Sequence, residues 1–348
     1  MFGLPSNVVN TAEKHSSRFY KVMKNSIKPK GESVLIISDY GKDGNHLAGT
    51  LGYGYYHALK ARKYNVELLF QDVKKGFMTS DDHITNAIKR LDKGSVVIVA
   101  VSNKLGRLGT DKSFRTFCKD NNHRFLSATG LGDVSLNHLD LFMDAMNTNY
   151  ARLRKKGNAI KKKWDKAERI QIKTEAGTDV IFDVDGMEAI ANVGEYHEPG
   201  KGGNMPAGEV YIPPKGFEGV NGTVVIDGSM KTVNGSVLLQ NPVKVEIKEG
   251  KAVKIDGPQA YLLENTFKKF EDRAKFPERV RLVGELGVGI NPGAVLIGSM
   301  IMDEKVLGTG HIAFGSNYWF GGEIKTIFHG DQVFKKPVYY LDGKKMEY

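Results

Sequence analysis

The chain has 348 residues, 41% hydrophobic and 26% charged, which is ample for two ordinary domains with substantial cores. Its single cysteine, Cys118, excludes an internal disulfide and a cysteine-built zinc site, and no apolar run reaches the length of a membrane span. The net charge of +10 is uneven: residues 1–170 hold 30 Lys and Arg against 16 Asp and Glu, whereas residues 171–348 hold 20 against 24.

In chain order, the first 150 residues alternate apolar runs with helical spacing. Ser33–Ser38, Val66–Phe70 and Ser95–Val101 read as buried strands. His46–Arg62, Asp81–Leu91 and Asp111–Asp120 read as the helices between them, with Ser80 or Asp81 and Thr110 or Asp111 as caps. This rhythm predicts a parallel sheet covered by helices. The glycine-rich turn at 39–46 matches neither phosphate-binding fingerprint and reads as a plain strand–helix turn. The segment 101–110 ends a parallel strand, a place where α/β sheets bind ligands. A long helix is expected over Leu136–Ala167. Its basic run from Arg152 to Arg169 has only Tyr150 and Trp164 as aromatic company, which favours a solvated face over a nucleic-acid platform.

The pattern then changes to hairpins. Arg169–Thr174 and Asp179–Val184 flank the turn Glu175-Ala176-Gly177-Thr178. Strands follow at Glu209–Ile212, Gly222–Asp227, Val243–Lys248 and Ala252–Asp256, and a helix at Asn265–Ala274. The expected fold is α/β: a parallel-sheet domain over 1–167, then a mixed α+β metal-binding catalytic domain over 168–348.

The last third holds the chemistry. His329 and Asp331 are two apart, so on an extended segment both side chains leave one face. His311 stands among small residues in G-T-G-H-I-A-F-G, a setting that admits a side chain to a tight pocket. Glu209 and Glu285 each sit beside glycine in apolar segments, where a carboxylate is costly unless it is paired or ligated. Imidazole with carboxylate is the donor set of hydrolytic and oxidative metal centres.

These motifs resemble the aminopeptidase T and aminopeptidase S family of metallopeptidases. The matching positions are Asn204-Met205-Pro206 leading to Glu209-Val210, Gly284-Glu285, His311-Ile312-Ala313-Phe314-Gly315 with Tyr318, and His329-Gly330-Asp331. The resemblance implies two divalent ions (zinc, cobalt or manganese) held by Glu209, Glu285, His311, His329 and Asp331. It implies Tyr318 as the catalytic tyrosine and Glu304 as the proton shuttle. Glu304 lies further from His311 than the family pattern has it, and Asp303 is the alternative. A cytoplasmic peptidase is then expected, acting on a peptide or small-molecule substrate as a possible homodimer, through the strip Tyr318-Trp319-Phe320. The competing reading uses His311, His329 and Asp331 alone. Two histidines and one carboxylate make the triad of non-haem iron oxygenases, and the peptidase family has sequence cousins among the ring-cleaving dihydroxypyridine dioxygenases.

Overall fold

Runs rich in Val, Ile and Leu form the parallel sheet of the first unit. The computed structural model describes residues 2–41, 44–109 and 112–347. It divides into two units, Met1–Tyr150 with Gly194–Ala207, and Ala151–Val193 with Gly208–Tyr348. The division expected at 167/168 falls within the first segment of the second unit.

In the first unit five parallel strands lie in the order Val66–Gln71, Val34–Asp39, Val96–Ala100, Arg124–Ala128 and Gly202–Asn204. Val34–Asp39, Val96–Ala100 and Arg124–Ala128 are buried throughout, as strands covered on both faces must be. Leu35, Ile37, Val97 and Val99 pack against Ile84 and Ile88 of the helix Asp82–Arg90 and against Cys118. Each such side chain contributes roughly 1.5–3 kcal/mol on burial. The helix Leu47–Lys60 presses on the sheet through Gly52, where a Cβ would meet that of Ser38 at 2.7 Å.

The helix Phe114–Asp120 is capped by Ser113, whose hydroxyl accepts from the Thr116 N–H. The expected caps Thr110 and Asp111 lie outside the described residues, as do Lys42 and Asp43 of the glycine-rich turn. Asp81 precedes its helix without capping it, because its carboxylate takes the Lys74 ammonium and the Asp72 N–H instead. The long helix expected over 136–167 is broken. A short 3-10 turn and the helix Leu139–Met146 end at Asn147, and a new helix runs over Tyr150–Trp164. Asn147 turns its side-chain amide back to the Met143 carbonyl, the local bond by which asparagine competes with helix continuation. Trp164 is fully buried against Tyr339, so it anchors its helix and offers no stacking surface.

The second unit contains two antiparallel sheets of seven strands. The first includes the predicted hairpin Arg169–Lys173 and Asp179–Asp183, and its exposed and buried residues alternate. The second runs in the order Gly235–Leu238, Ser229–Thr232, His329–Lys335, Thr309–Gly315, Val283–Gly289, Glu209–Ile212 and Ile190–Asn192. Its inner strands Val283–Gly289 and Thr309–Gly315 are buried along their whole length. The helix expected at Asn265–Ala274 starts earlier, over Ala260–Glu271. Among the described residues no helix is long and apolar enough to cross a membrane.

Candidate metal centre

The ladder of the second sheet assembles the site. Paired residues in an antiparallel ladder share a face. Here Glu209 is paired with Gly289, Gly287 with His311, Glu285 with Ala313, Ala313 with Asp331, and Gly315 with His329. Every side chain with metal-binding chemistry therefore faces glycine or alanine on a neighbouring strand. The small residues make the room: a Cβ on Gly287 would lie 1.9 Å from His311 Nε2. Four adjacent strands thus deliver Glu209, Glu285, His311 and the pair His329 and Asp331 to one patch.

Glu285, His311 and Asp331 each offer a donor atom, and these atoms lie within 4.8 Å of one another. His311 Nε2 is 3.3 Å from Glu285 Oε1, and His329 Nε2 is 3.7 Å from Glu285 Oε2 and 3.5 Å from Asp331 Oδ1. The Glu285 carboxylate therefore lies between the two imidazoles. His329 Nδ1 donates to the Ser316 carbonyl at 2.8 Å, which points Nε2 towards the two carboxylates. His311 is fully buried, and among the described residues its Nδ1 has no hydrogen-bond partner.

Lys305 is the residue that sequence reading passes over. It follows the short helix Met300–Asp303 and is fully buried. Its ammonium lies 2.5 Å from Glu209 Oε1 and also contacts Glu304 Oε1. Asn192 Nδ2 donates to the same Glu209 oxygen at 3.1 Å, and the other Glu209 oxygen is 3.9 Å from His311 Nε2.

The electrostatics follow from burying this many charges together. Burial works against the charged imidazoles of His311 and His329, but nearby carboxylates outweigh it. Glu285 and Asp331 hold His311 protonated up to about 9, and Asp331 and Glu285 hold His329 up to about 10. Burial raises the Glu285 carboxyl, and the Asp331 charge adds to it. Burial would also raise Asp331, yet the two imidazoles pull it well below the usual carboxylate range. Glu304 is pushed up to about 8, by burial first and then by Glu209 and Asp331, against the opposing pull of Lys305. For Lys305 burial opposes the charge, and Glu209 and Glu304 more than restore it. A donor set of two imidazoles and two carboxylates, held in a cradle lined by glycine, fits a divalent cation that displaces the imidazole protons.

Tyr318 and Asp303 are not among the donors grouped above. Tyr318 is 60% exposed, and its ring lies beside Lys325. Its neighbour Trp319 packs edge-on against His329, with ring centroids 4.8 Å apart. Asp303 turns away from the cluster and accepts from the Ile297 and Gly298 N–H groups, anchoring a loop.

Residues 16–347 match the family described as NicX, 2,5-dihydroxypyridine 5,6-dioxygenase. The chain belongs to this family. A solved structure of 2,5-dihydroxypyridine dioxygenase from Pseudomonas putida KT2440 is similar to it, with a TM-score of 0.74 and 19% identity over 96% of this chain and 95% of that one. At that identity the likeness concerns the fold. A ureidoglycine-glyoxylate aminotransferase from Bacillus subtilis shares only 35% of the chain at a TM-score of 0.20, which carries no argument. A comparison with curated proteins finds no match.

The family match overturns the aminopeptidase reading, and with it the hydrolase activity and the peptide substrate. The motifs misled because a sheet that gathers histidine and carboxylate looks alike in sequence whichever reaction it serves. The competing dioxygenase reading is the one that the family supports.

Proposed function

We propose that the chain is a ring-cleaving dioxygenase that uses one non-haem iron. His311, His329 and Asp331 would hold the metal, with Glu285 as a further carboxylate donor. The substrate is a small dihydroxylated ring of the 2,5-dihydroxypyridine type, and the antiparallel unit is the catalytic domain. The observation that carries this is the family match over 16–347, taken with the convergence of two imidazoles and two carboxylates on one buried patch.

Iron bound there supplies the redox chemistry that joins dioxygen to an electron-rich ring. The protein's own residues supply the rest. The Ser316 carbonyl fixes the His329 tautomer. Glu304, with its proton held up to about 8, is poised to exchange a proton with a ring hydroxyl at its carboxylate oxygen. The buried face keeps bulk water from the reacting atoms.

The test is anaerobic loading with ferrous iron, followed by oxygen uptake in the presence of 2,5-dihydroxypyridine. Substrate-dependent uptake is expected, lost together with bound iron in Asp331→Ala. Iron-loaded protein that consumes no oxygen with any dihydroxylated ring would overturn the reading.

A further inference from the structure

The buried network around Lys305 borders the donor set just described, through Glu209 beside His311 and Glu304 beside Asp331. Two carboxylates, Glu209 and Glu304, face each other across its ammonium, and the far oxygen of Glu209 lies 3.9 Å from His311 Nε2. Were that ammonium absent, Glu209 and Glu304 would present carboxylate oxygens to a buried space beside Asp331, which Glu304 contacts. That is the composition of a divalent-cation site in its own right. A full positive charge already fills it.

The placement is built into the ladder. Gly289 is paired with Glu209, and a Cβ there would meet the Val306 carbonyl oxygen at 2.2 Å and the Lys305 carbonyl carbon at 2.9 Å. The turn carrying Lys305 is therefore pressed onto the bare backbone of Val283–Gly289, which brings its side chain under Glu209. Asn192, from the neighbouring edge strand, secures the same Glu209 oxygen.

We propose that Lys305 is a built-in cation that occupies the Glu209 and Glu304 end of the pocket, positions Glu209, and limits the centre to one metal ion per chain. The inference rests on the metal-centre reading above, and it adds what sets the number of ions. A second dication beside the ammonium would meet direct repulsion in a site with little solvent to screen it. Glu209 is thereby held in its ion pair with Lys305, its second oxygen facing His311, rather than spent as a ligand.

The experiment uses manganous ion as the probe, on the full chain freed of metal by chelation and then dialysed. Bound manganese per chain is counted by elemental analysis, and electron paramagnetic resonance shows whether the ions are isolated or exchange-coupled. The parent is expected to bind one ion with an isolated-ion spectrum. Lys305→Ala and Lys305→Gln are expected to bind a second ion and to give a coupled spectrum, and Lys305→Arg, which keeps the charge, is expected to return to one. Two ions in the parent would overturn the inference even if both lysine variants failed to fold. So would a folded Lys305→Ala that still binds one ion. A parent that binds no manganese or iron would overturn the metal-centre reading itself and this inference with it.

Discussion

Gly287→Ala tests the site at the point where its construction is most exacting. The added methyl group would sit 1.9 Å from His311 Nε2 and 2.2 Å from Cε1. Ordinary contact needs about 3.5 Å or more, so the ring must retreat by roughly 1.5 Å. The Gly287 backbone does not have a positive φ, so alanine is acceptable to the main chain and the whole effect falls on the imidazole. Metal–ligand distances tolerate about 0.2 Å, so a displacement of this size takes Nε2 out of the coordination sphere. We expect metal affinity to fall by at least about 10–100-fold, the range seen when even supporting residues of a metal site are removed. Overpacking should cost about 1–3 kcal/mol of stability. Gly202→Ala in the first unit separates the two effects, since its Cβ would overlap the Phe125 ring at 2.3 Å with no metal donor nearby. Denaturant melts and titration with manganous ion should show both variants destabilised, and only Gly287→Ala impaired in metal binding. A Gly287→Ala protein with parental metal affinity would show that His311 is not a ligand.

The metal-free protein carries two imidazoles whose titration is raised, to about 9 for His311 and about 10 for His329. A raised folded-state value stabilises the fold fully below the unfolded value of about 6.5, and that stabilisation is lost as pH rises through 9 to 10. Thermal melts of chelated protein should therefore weaken over that window, and melts of metal-loaded protein, whose imidazoles are already neutral, should weaken less. For the same reason metal binding near neutral pH should release protons, measured by calorimetry in buffers of different ionisation enthalpy; binding with no proton release would contradict the assignment of the histidines. Trp319, 55% exposed and packed edge-on against His329, is placed to stack on an aromatic ring. Trp319→Ala should raise KM by up to about tenfold, the worth of one aromatic pair, with kcat little changed and Trp319→Phe largely restoring it. An unaltered KM would remove Trp319 from substrate binding.

What was legible in the sequence is what local chemistry dictates. Parallel strands covered on both faces must be largely continuous apolar runs, so Val34–Asp39 and Val96–Ala100 announce themselves. The hairpin at 169–183 was readable from its alternation and its glycine turn. The long helix failed because its break depends on a single asparagine amide finding a carbonyl, and helical spacing does not register that choice. The small-residue setting of His311 places Ala313 opposite Glu285 and Asp331, and Gly315 opposite His329. The sequence could not show that Gly287, Ala313 and Gly315 stand opposite the clustered histidines and carboxylates, since that depends on the pairing of strands far apart in the chain.

Lys305 was illegible for a deeper reason. In the run Asp303-Glu304-Lys305 three adjacent charges look like a solvated turn, yet all three side chains are largely or fully withdrawn from water. Each finds a different partner: Asp303 takes backbone amides, Glu304 takes Lys305, and Lys305 also takes Glu209 from a strand almost a hundred residues earlier. A buried charge is tolerable only when its partners arrive from elsewhere in the fold, so its burial belongs to the ladder and not to the segment. The peptidase resemblance names Glu209, Glu285, His311, His329 and Asp331 as ligands, and the ladder brings these side chains to one patch, where Glu209 is also paired with Lys305. Glu209 is the residue on which the two readings part: its ladder position points it at His311, while Lys305 and Asn192 hold one of its oxygens. If Lys305 acts as proposed, the same strand pattern serves one ion or two, according to whether a neighbouring turn supplies a cation of its own.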